Sequence, residues 1–159
     1  MNIALLGGSF DPPHFGHLLI AHQIIEQGKI DQVWFLPNDN TDAHHKVFQK
    51  KLSSAYDRIM MARLVEEEKI IASDFEMENN KESLTIVTLE KLTKQFPEHT
   101  FYWIVGSDKL EMFHLWDDWQ KMITDYHVII FPRGQLNEPL DKLVKKFLRL
   151  QTIPGMLLS

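Results

Sequence analysis

Short β-prone runs alternate with helical patterns along the chain, and this alternation constrains the fold more than any other feature. An apolar run occupies positions 2–6, and runs rich in β-branched and aromatic residues occupy positions 32–36, 100–105 and 126–131; each is followed by glycine or proline. Parallel strands need crossover helices, which also cover both faces of the sheet. The sequence therefore predicts an α/β fold with an open doubly wound parallel sheet in a single domain, residues 1–159.

The segments between these strands carry helix signals. Apolar side chains recur at helical spacing after Phe15 and stop at Gly28, where a helix would end. A second helix opens at Ser54, which has capping-box spacing to Asp57, and extends to about residue 68. The remaining patterns are helices at 84–96 and 138–148 and weaker strands at 70–78 and 151–153.

The carboxyl ends of the predicted strands locate the functional site. In a Rossmann-like sheet of this kind, ligands bind in the crevice beyond those ends. The loops expected to converge there are those after Leu6, Leu36, Val105 and Phe131.

Charge and cysteine content exclude several classes of function. With 17 Lys+Arg against 22 Asp+Glu the net charge is −5, and no long basic run supports nucleic-acid binding. The chain has no cysteine, so a disulfide framework, a thiolate metal site and a cysteine nucleophile are all absent. No apolar stretch approaches about 18 residues, and the opening sequence does not have the pattern of a signal peptide. We expect a cytoplasmic protein without a membrane partner.

The segment GGSFDPPHFGH after the first strand is the most informative part of the chain. Its two leading glycines let backbone N–H groups approach an anion, and the following helix directs its positive end toward the same place. His14 and His17 lie one helical turn apart, and Gly16 leaves room between them for a large ligand. Nucleotide phosphates fit such a loop.

Other readings of this loop are weaker. The chain has neither GxGxxG after the first strand nor GxxxxGK[ST] anywhere, which argues against hydride transfer and P-loop chemistry. A zinc site on His14 and His17 needs at least a third ligand, so we predict no protein-held metal. His22, His99 and His127 are interpreted as structural or exposed.

The segment resembles the GG[ST]FxPxHxGH signature of the nucleotidylyltransferase superfamily, specifically of nicotinate or nicotinamide mononucleotide adenylyltransferases. Pro37-Asn38 with His45-Lys46 resembles the PN and PPHK segment of this family, and Ser83-Leu84-Thr85 its S-Y-T helix start. Gly106-Ser107-Asp108-x-Leu110, followed by Trp116, resembles its GxDxLxxxxxW block. The four blocks occur in the family's order.

The resemblance implies adenylyl transfer from ATP to nicotinate or nicotinamide mononucleotide in NAD biosynthesis, with release of pyrophosphate. It implies that His14, His17 and the mobile Lys46 contact the ATP phosphates and that Mg²⁺ arrives with ATP, held by phosphate oxygens and water. It implies further ATP contacts at Gly7, Gly8, Ser9, Phe10, Gly16, Gly106, Asp108 and Arg133. For the mononucleotide it implies stacking on Trp116 and backbone contact around Thr85; core packing is the alternative for Trp116, and helix initiation is the alternative for Thr85.

Three departures from the family pattern keep alternatives open. The C-terminal ISSTxIR phosphate segment of the family does not occur before Ser159, so either the sequence is truncated or the ATP phosphates lose one cradle. A polar stretch at 40–44 replaces the usual approach to Lys46, and Asp117 stands where acid-selective members carry an aromatic residue. The choice between acid and amide therefore stays open. So do transfer to another phosphorylated acceptor, nucleotide binding without turnover, and homo-oligomer formation.

Overall fold

The computed structural model describes residues 1–39, 52–79 and 84–134. Its strands are β1 (Asn2–Gly8), β2 (Gln32–Pro37), β3 (Ile70–Ala72), β4 (Thr100–Gly106) and β5 (His127–Phe131). Its helices are α1 (Phe15–Glu26), α2 (Ala55–Arg63), α3 (Phe75–Asn79), α4 (Thr85–Gln95) and α5 (Trp119–Asp125), with a 3₁₀ helix at Ser107–Leu115. No helix in these ranges combines the length and apolar character that crossing a membrane requires.

All five strands run parallel in one sheet, in the order β3-β2-β1-β4-β5. Their carboxyl ends are aligned, since Gly8 lies opposite Pro37 and Gly106 lies opposite Phe131. The chain leaves β1 toward β2 and β3 and later returns to add β4 on the other side. The predicted α/β fold is therefore confirmed, and its topological switch point, where such sheets bind ligands, lies between β1 and β4.

Side chains of β1 alternate between two cores, one on each face of the sheet. Ile3 and Leu5 pack with buried residues of α4 and α5, whereas Ala4 and Leu6 pack with buried residues of α1. Successive strand residues point to opposite faces, so a strand buried on both sides needs an unbroken apolar run. This requirement explains the sequence IALL at positions 3–6.

The strand expected at 70–78 is wrong beyond Ala72, where β3 ends after three residues. The Ser73 hydroxyl accepts a hydrogen bond from the Phe75 N–H at 3.3 Å, and the chain turns into α3. Glu76 of α3 is buried and accepts a hydrogen bond from the Thr88 hydroxyl of α4 at 2.7 Å. This packing against α4 outweighs the β propensity of the segment.

Other expected boundaries are partly confirmed. The Ser54 hydroxyl accepts a hydrogen bond from the Asp57 N–H at 3.0 Å, as the capping spacing predicts. However, α2 ends at Arg63 rather than near residue 68, because Glu67 forms a bridge with Ile70 that a helix does not permit. The 3₁₀ helix and α5 were not predicted. The helix predicted at 138–148 and the strand predicted at 151–153 lie outside the described residues.

Leu89 on the inner face of α4 tests the core between this helix and the sheet. It is completely buried, so we expect Leu89→Ala to lower the free energy of unfolding by about 2–5 kcal/mol, through lost burial and an unfilled cavity. Leu64→Ala is the control, because Leu64 is 84% exposed and its truncation should change stability by less than about 0.5 kcal/mol. Urea unfolding measures both, and equal losses would contradict this assignment of the core.

Candidate active site

The loops at the carboxyl edge of the sheet are joined to one another by hydrogen bonds. The Asn38 N–H donates to the Gly8 carbonyl at 2.9 Å, which links the ends of β1 and β2. The Ser107 hydroxyl donates to the Arg133 carbonyl at 3.0 Å and accepts from the Arg133 N–H at 2.7 Å, which links the segments after β4 and β5. Arg133 also acts electrostatically on His17 at the start of α1. The predicted convergence of these loops is confirmed.

His14 and His17 cap the first turn of α1 reciprocally. The Gly16 N–H donates to Nδ1 of His14 at 3.1 Å, and the His14 N–H donates to Nδ1 of His17 at 3.1 Å. A ring nitrogen that accepts a hydrogen bond carries no proton, so each neutral ring holds its proton on Nε2. The helix start therefore presents two side-chain N–H donors in addition to its backbone N–H groups.

The two imidazole rings are stacked, with their centroids 3.8 Å apart. The side of the site next to His17 is apolar, because the centroid of the Phe10 ring lies 4.5 Å from that of the His17 ring. Burial lowers the pKa of His17 to about 4, with smaller electrostatic contributions from His14 and Arg133. His17 is therefore a neutral hydrogen-bond donor at pH 7 in the free protein.

Phe10 fixes the path of the loop between β1 and α1. Its backbone is in the left-handed region, with φ of 49°, and its side chain is 1% exposed. The ring stacks on Phe35 of β2 at 5.1 Å. A Cβ added at Gly8 would lie 3.4 Å from the Phe10 ring, and one added at Gly7 would lie 2.8 Å from Trp103. Both glycines thus let aromatic rings pack close against the backbone of this loop.

Gly16 is required by the histidine cap. A Cβ at this position would lie 2.9 Å from Cε1 and Nδ1 of the His14 ring. Any side chain at residue 16 would push the ring from the position in which it accepts the Gly16 N–H. The glycine expected to leave room for a ligand therefore also leaves room for the cap.

A second polar group lies at the ends of β4 and β5. Asp108 Oδ2 is 3.9 Å from Nε of Arg133, and the Asp108 carboxylate folds back over Gly106 so closely that a Cβ there would overlap it. Gly134 follows with φ of 72°, and a Cβ added there would lie 3.6 Å from Asp108. The predicted residues Gly106, Asp108 and Arg133 are therefore brought together at this corner.

Trp116 and Thr85 lie at helix ends. Trp116 follows the 3₁₀ helix, is half-buried, and stacks obliquely on buried Phe113 with ring centroids 5.2 Å apart. Thr85 begins α4, and Leu84 at the N-cap contributes no side-chain hydrogen bond to the helix. The structure thus explains Trp116 by packing, and ligand contacts at these two residues stay predictions.

Two further predictions concern Lys46 and a bound metal ion. Lys46 lies outside the described residues, so its role stays a prediction. Within residues 1–39, 52–79 and 84–134, no group of three or more histidine or carboxylate side chains is arranged to hold a metal ion.

The structure adds contacts for Arg58, which sequence reasoning missed, and for Asn38, which the sequence placed in the PN segment without a role. Both are buried behind the loop after β1, and the Arg58 guanidinium donates to Oδ1 of Asn38 at 3.1 Å. The available signal was spacing: Arg58 shares the inward face of α2 with Ile59 and Ala62. A charged residue among buried apolar ones suggests a polar task inside the fold.

The chain is similar to a known family and to named proteins. Residues 5–155, which include every described site residue, match the model of the cytidylyltransferase-like family. A Shewanella pealeana protein named "probable nicotinate-nucleotide adenylyltransferase" is 36% identical over 148 residues, 91% of this chain and 67% of that protein. A protein of the same name from Exiguobacterium sibiricum is 39% identical over 124 residues, 77% of this chain and 64% of that protein. The chain spans about two thirds of the length of these relatives.

A solved structure has a similar fold. Plasmodium falciparum nicotinic acid mononucleotide adenylyltransferase, complexed with NaAD, superimposes with a TM-score of 0.76 at 26% identity. The match covers 99% of this chain and 77% of that one.

The first prediction from the site concerns the protonation of His17. In the free protein we expect ¹⁵N NMR to show a neutral ring protonated on Nε2 at pH 7, titrating with a pKa of about 4. Arg133→Gln removes one repelling charge while leaving the cap intact, so the midpoint should move upward. A His17 midpoint near 6.5 in the wild-type chain would contradict the buried, stacked geometry.

A second prediction concerns Gly16→Ala, which should displace the His14 ring. Stability is a poor readout, because the gain in helix propensity, about 1 kcal/mol, offsets the loss of a cap of about the same size. The ¹⁵N shift of His14 Nδ1 is the better measurement, since it should change once the Gly16 N–H no longer donates to it. Leu19→Ala, at an exposed position of α1, is the control and should leave that shift unchanged.

Proposed function

The chain belongs to the cytidylyltransferase-like family, and we propose that it transfers the adenylyl group of ATP to nicotinate mononucleotide, a step of NAD biosynthesis. The names of its relatives support this acceptor, and nicotinamide mononucleotide is the alternative to be tested against it. The observation that carries the proposal is the reciprocal cap, which holds two imidazole N–H donors at a helix start beside a glycine-rich loop. Such a site fits a polyphosphate.

The proposed reaction is an in-line displacement at phosphorus. An oxygen of the mononucleotide 5′-phosphate attacks the α-phosphorus of ATP, the bond to the bridging oxygen of the β-phosphate breaks, and pyrophosphate leaves with its electron pair. No proton transfer to the protein and no covalent intermediate is required. The protein mainly has to align two anions and stabilise the charge that develops between them.

His14 and His17 would donate Nε2–H hydrogen bonds to phosphate oxygens of ATP. Since His17 is neutral before ATP binds, the two stacked rings do not repel each other as a pair of cations. A bound polyanion would favour protonation of the His17 ring. Lys46 would add a mobile positive charge. We propose the glycine-rich loop as the ATP groove, through Gly7, Gly8, Ser9, Phe10 and Gly16.

The corner formed by Gly106, Asp108 and Arg133 would hold the nucleoside end of ATP. On the far side, Trp116 would stack on the pyridine ring, and the start of α4 at Thr85 would meet the carboxylate through backbone N–H groups. Mg²⁺ would be held by phosphate oxygens and water and would neutralise phosphate charge.

The activity test follows pyrophosphate release from MgATP with nicotinate mononucleotide, nicotinamide mononucleotide or phosphopantetheine, and from MgCTP with nicotinate mononucleotide. We expect release with MgATP and nicotinate mononucleotide at the highest kcat/KM. Release only with another pair would reassign the substrate. Calorimetric binding of ATP without turnover would identify a nucleotide-binding module, and neither binding nor turnover would overturn the proposal.

Loss of one donor should lower the rate of the chemical step. We expect His17→Ala to reduce kcat by ~10²-fold or more, the range for removing a donor that stabilises a developing charge. His22→Ala is a matched control, because His22 is also on α1 but is exposed and paired with Glu67 at 3.1 Å. Circular dichroism establishes that both variants are folded. Wild-type turnover in the His17 variant would remove this residue from the mechanism.

A further inference from the structure

A buried arginine that the proposed mechanism does not use lies behind the loop between β1 and α1. Arg58 is in the first half of α2, and its exposed surface is 0%. Removing a guanidinium from water is costly unless acceptors surround it. Its partners therefore indicate what this charge does in the fold.

The Arg58 guanidinium donates to three different segments of the chain. Its Nε donates to the Ser53 carbonyl at 3.1 Å, just before α2. Its Nη1 donates to the Ser9 carbonyl at 2.9 Å, in the loop after β1, and to Oδ1 of Asn38 at 3.1 Å, after β2. One planar group thus connects the start of α2 to the ends of two adjacent strands.

Two carboxylates support this arrangement. Asp11 accepts a hydrogen bond from the Ser53 N–H at 2.8 Å, so it binds the same turn that Arg58 binds. Burial lowers the pKa of Arg58, whereas the charges of Asp11 and Asp39 raise it. The guanidinium remains charged in the working pH range, as arginine does in proteins.

The Ser9 contact fixes the orientation of a peptide plane. The Ser9 carbonyl and the Phe10 N–H belong to one planar peptide unit. In a trans peptide these two groups point in opposite directions, so the Phe10 N–H points away from Arg58. Phe10 has the strained φ of 49° and lies against the His17 ring, so this plane also determines where that ring rests.

The Asn38 contact fixes an amide in the same way. Arginine has only donors, so the atom of Asn38 that faces it must be the oxygen. The Asn38 NH₂ group is therefore directed away from Arg58. Asn38 is buried, and its own N–H donates to the Gly8 carbonyl, which holds its backbone beside the loop.

We propose that Arg58 is a positioning residue that orients the Ser9–Phe10 peptide and the Asn38 amide as hydrogen-bond donors for the ATP phosphates. It acts through these groups and does not touch the substrate. This inference rests on the proposed function.

Arg58→Lys tests the proposal because it keeps the positive charge and loses the planar set of donors. We expect kcat/KM for ATP to fall about 10-fold or more, the range for losing a hydrogen bond to a charged group, with KM for the mononucleotide changed less than about 2-fold. Arg63→Lys is the control, since Arg63 is on the same helix but exposed, with its guanidinium 2.8 Å from Asp74. A lower Tm with unchanged kinetic constants for both substrates well below Tm would overturn the proposal.

Two measurements do not depend on turnover and so separate failure of this inference from failure of the proposed function. Calorimetry with α,β-methylene-ATP should show weaker binding to Arg58→Lys, and hydrogen exchange should be faster at residues 8–11 but not in β5. Arg58→Gln, which keeps donors without the charge, is a second variant and should show the same pattern. Wild-type affinity for the analogue together with unchanged exchange at residues 8–11 would contradict the positioning role, whatever the enzyme's activity.

Discussion

The reciprocal cap of α1 by His14 and His17 is the interaction on which the rest of the site depends. A helix start needs acceptors for its free N–H groups, and both rings supply one through Nδ1. That same hydrogen bond leaves the proton of each ring on Nε2. Folding of the helix therefore sets the tautomer of both donors before any ligand arrives. Gly16 has to be glycine for this to happen, because a side chain there would occupy the place of the His14 ring.

The neutral state of the buried His17 ring has a consequence for the dependence of stability on pH. His17 has a pKa of about 4 in the folded protein, below its ordinary value of 6.5, mainly because it is buried. As the pH falls from 6.5 to about 4, His17 binds a proton in the unfolded chain but not in the folded chain. This residue therefore makes folding less favourable over that range. A polyphosphate bound as proposed would act in the opposite direction, since it would stabilise the charged ring. Under the proposed function, nucleotide binding would then be coupled to proton uptake by His17 in mildly acidic solution.

The sequence predicts those parts of the molecule that depend on local patterns. The alternation of strands and helices, the Ser54 cap and the stop at Gly28 all rest on residues close in sequence, and the structure confirms them. The strand prediction fails after Ala72 because Glu76 is placed by its contact with Thr88 on another helix. Burial there raises the pKa of Glu76 to about 7. Arg58 could not be assigned for the same reason: its acceptors come from three segments that only the fold brings together.

The position of β1 supports the proposal that two nucleotides meet at this edge of the sheet. On the β2 side, Arg58 and Asn38 support the loop between β1 and α1 from behind. On the β4 side, Asp108 and Arg133 form a separate polar corner, and Arg133 is still near enough to influence His17. The start of α1 lies between these two groups because β1 is paired with both neighbours. Under the proposed function, a phosphate held at this helix start would be reached from both sides, which is the arrangement that an attack by one nucleotide on another requires.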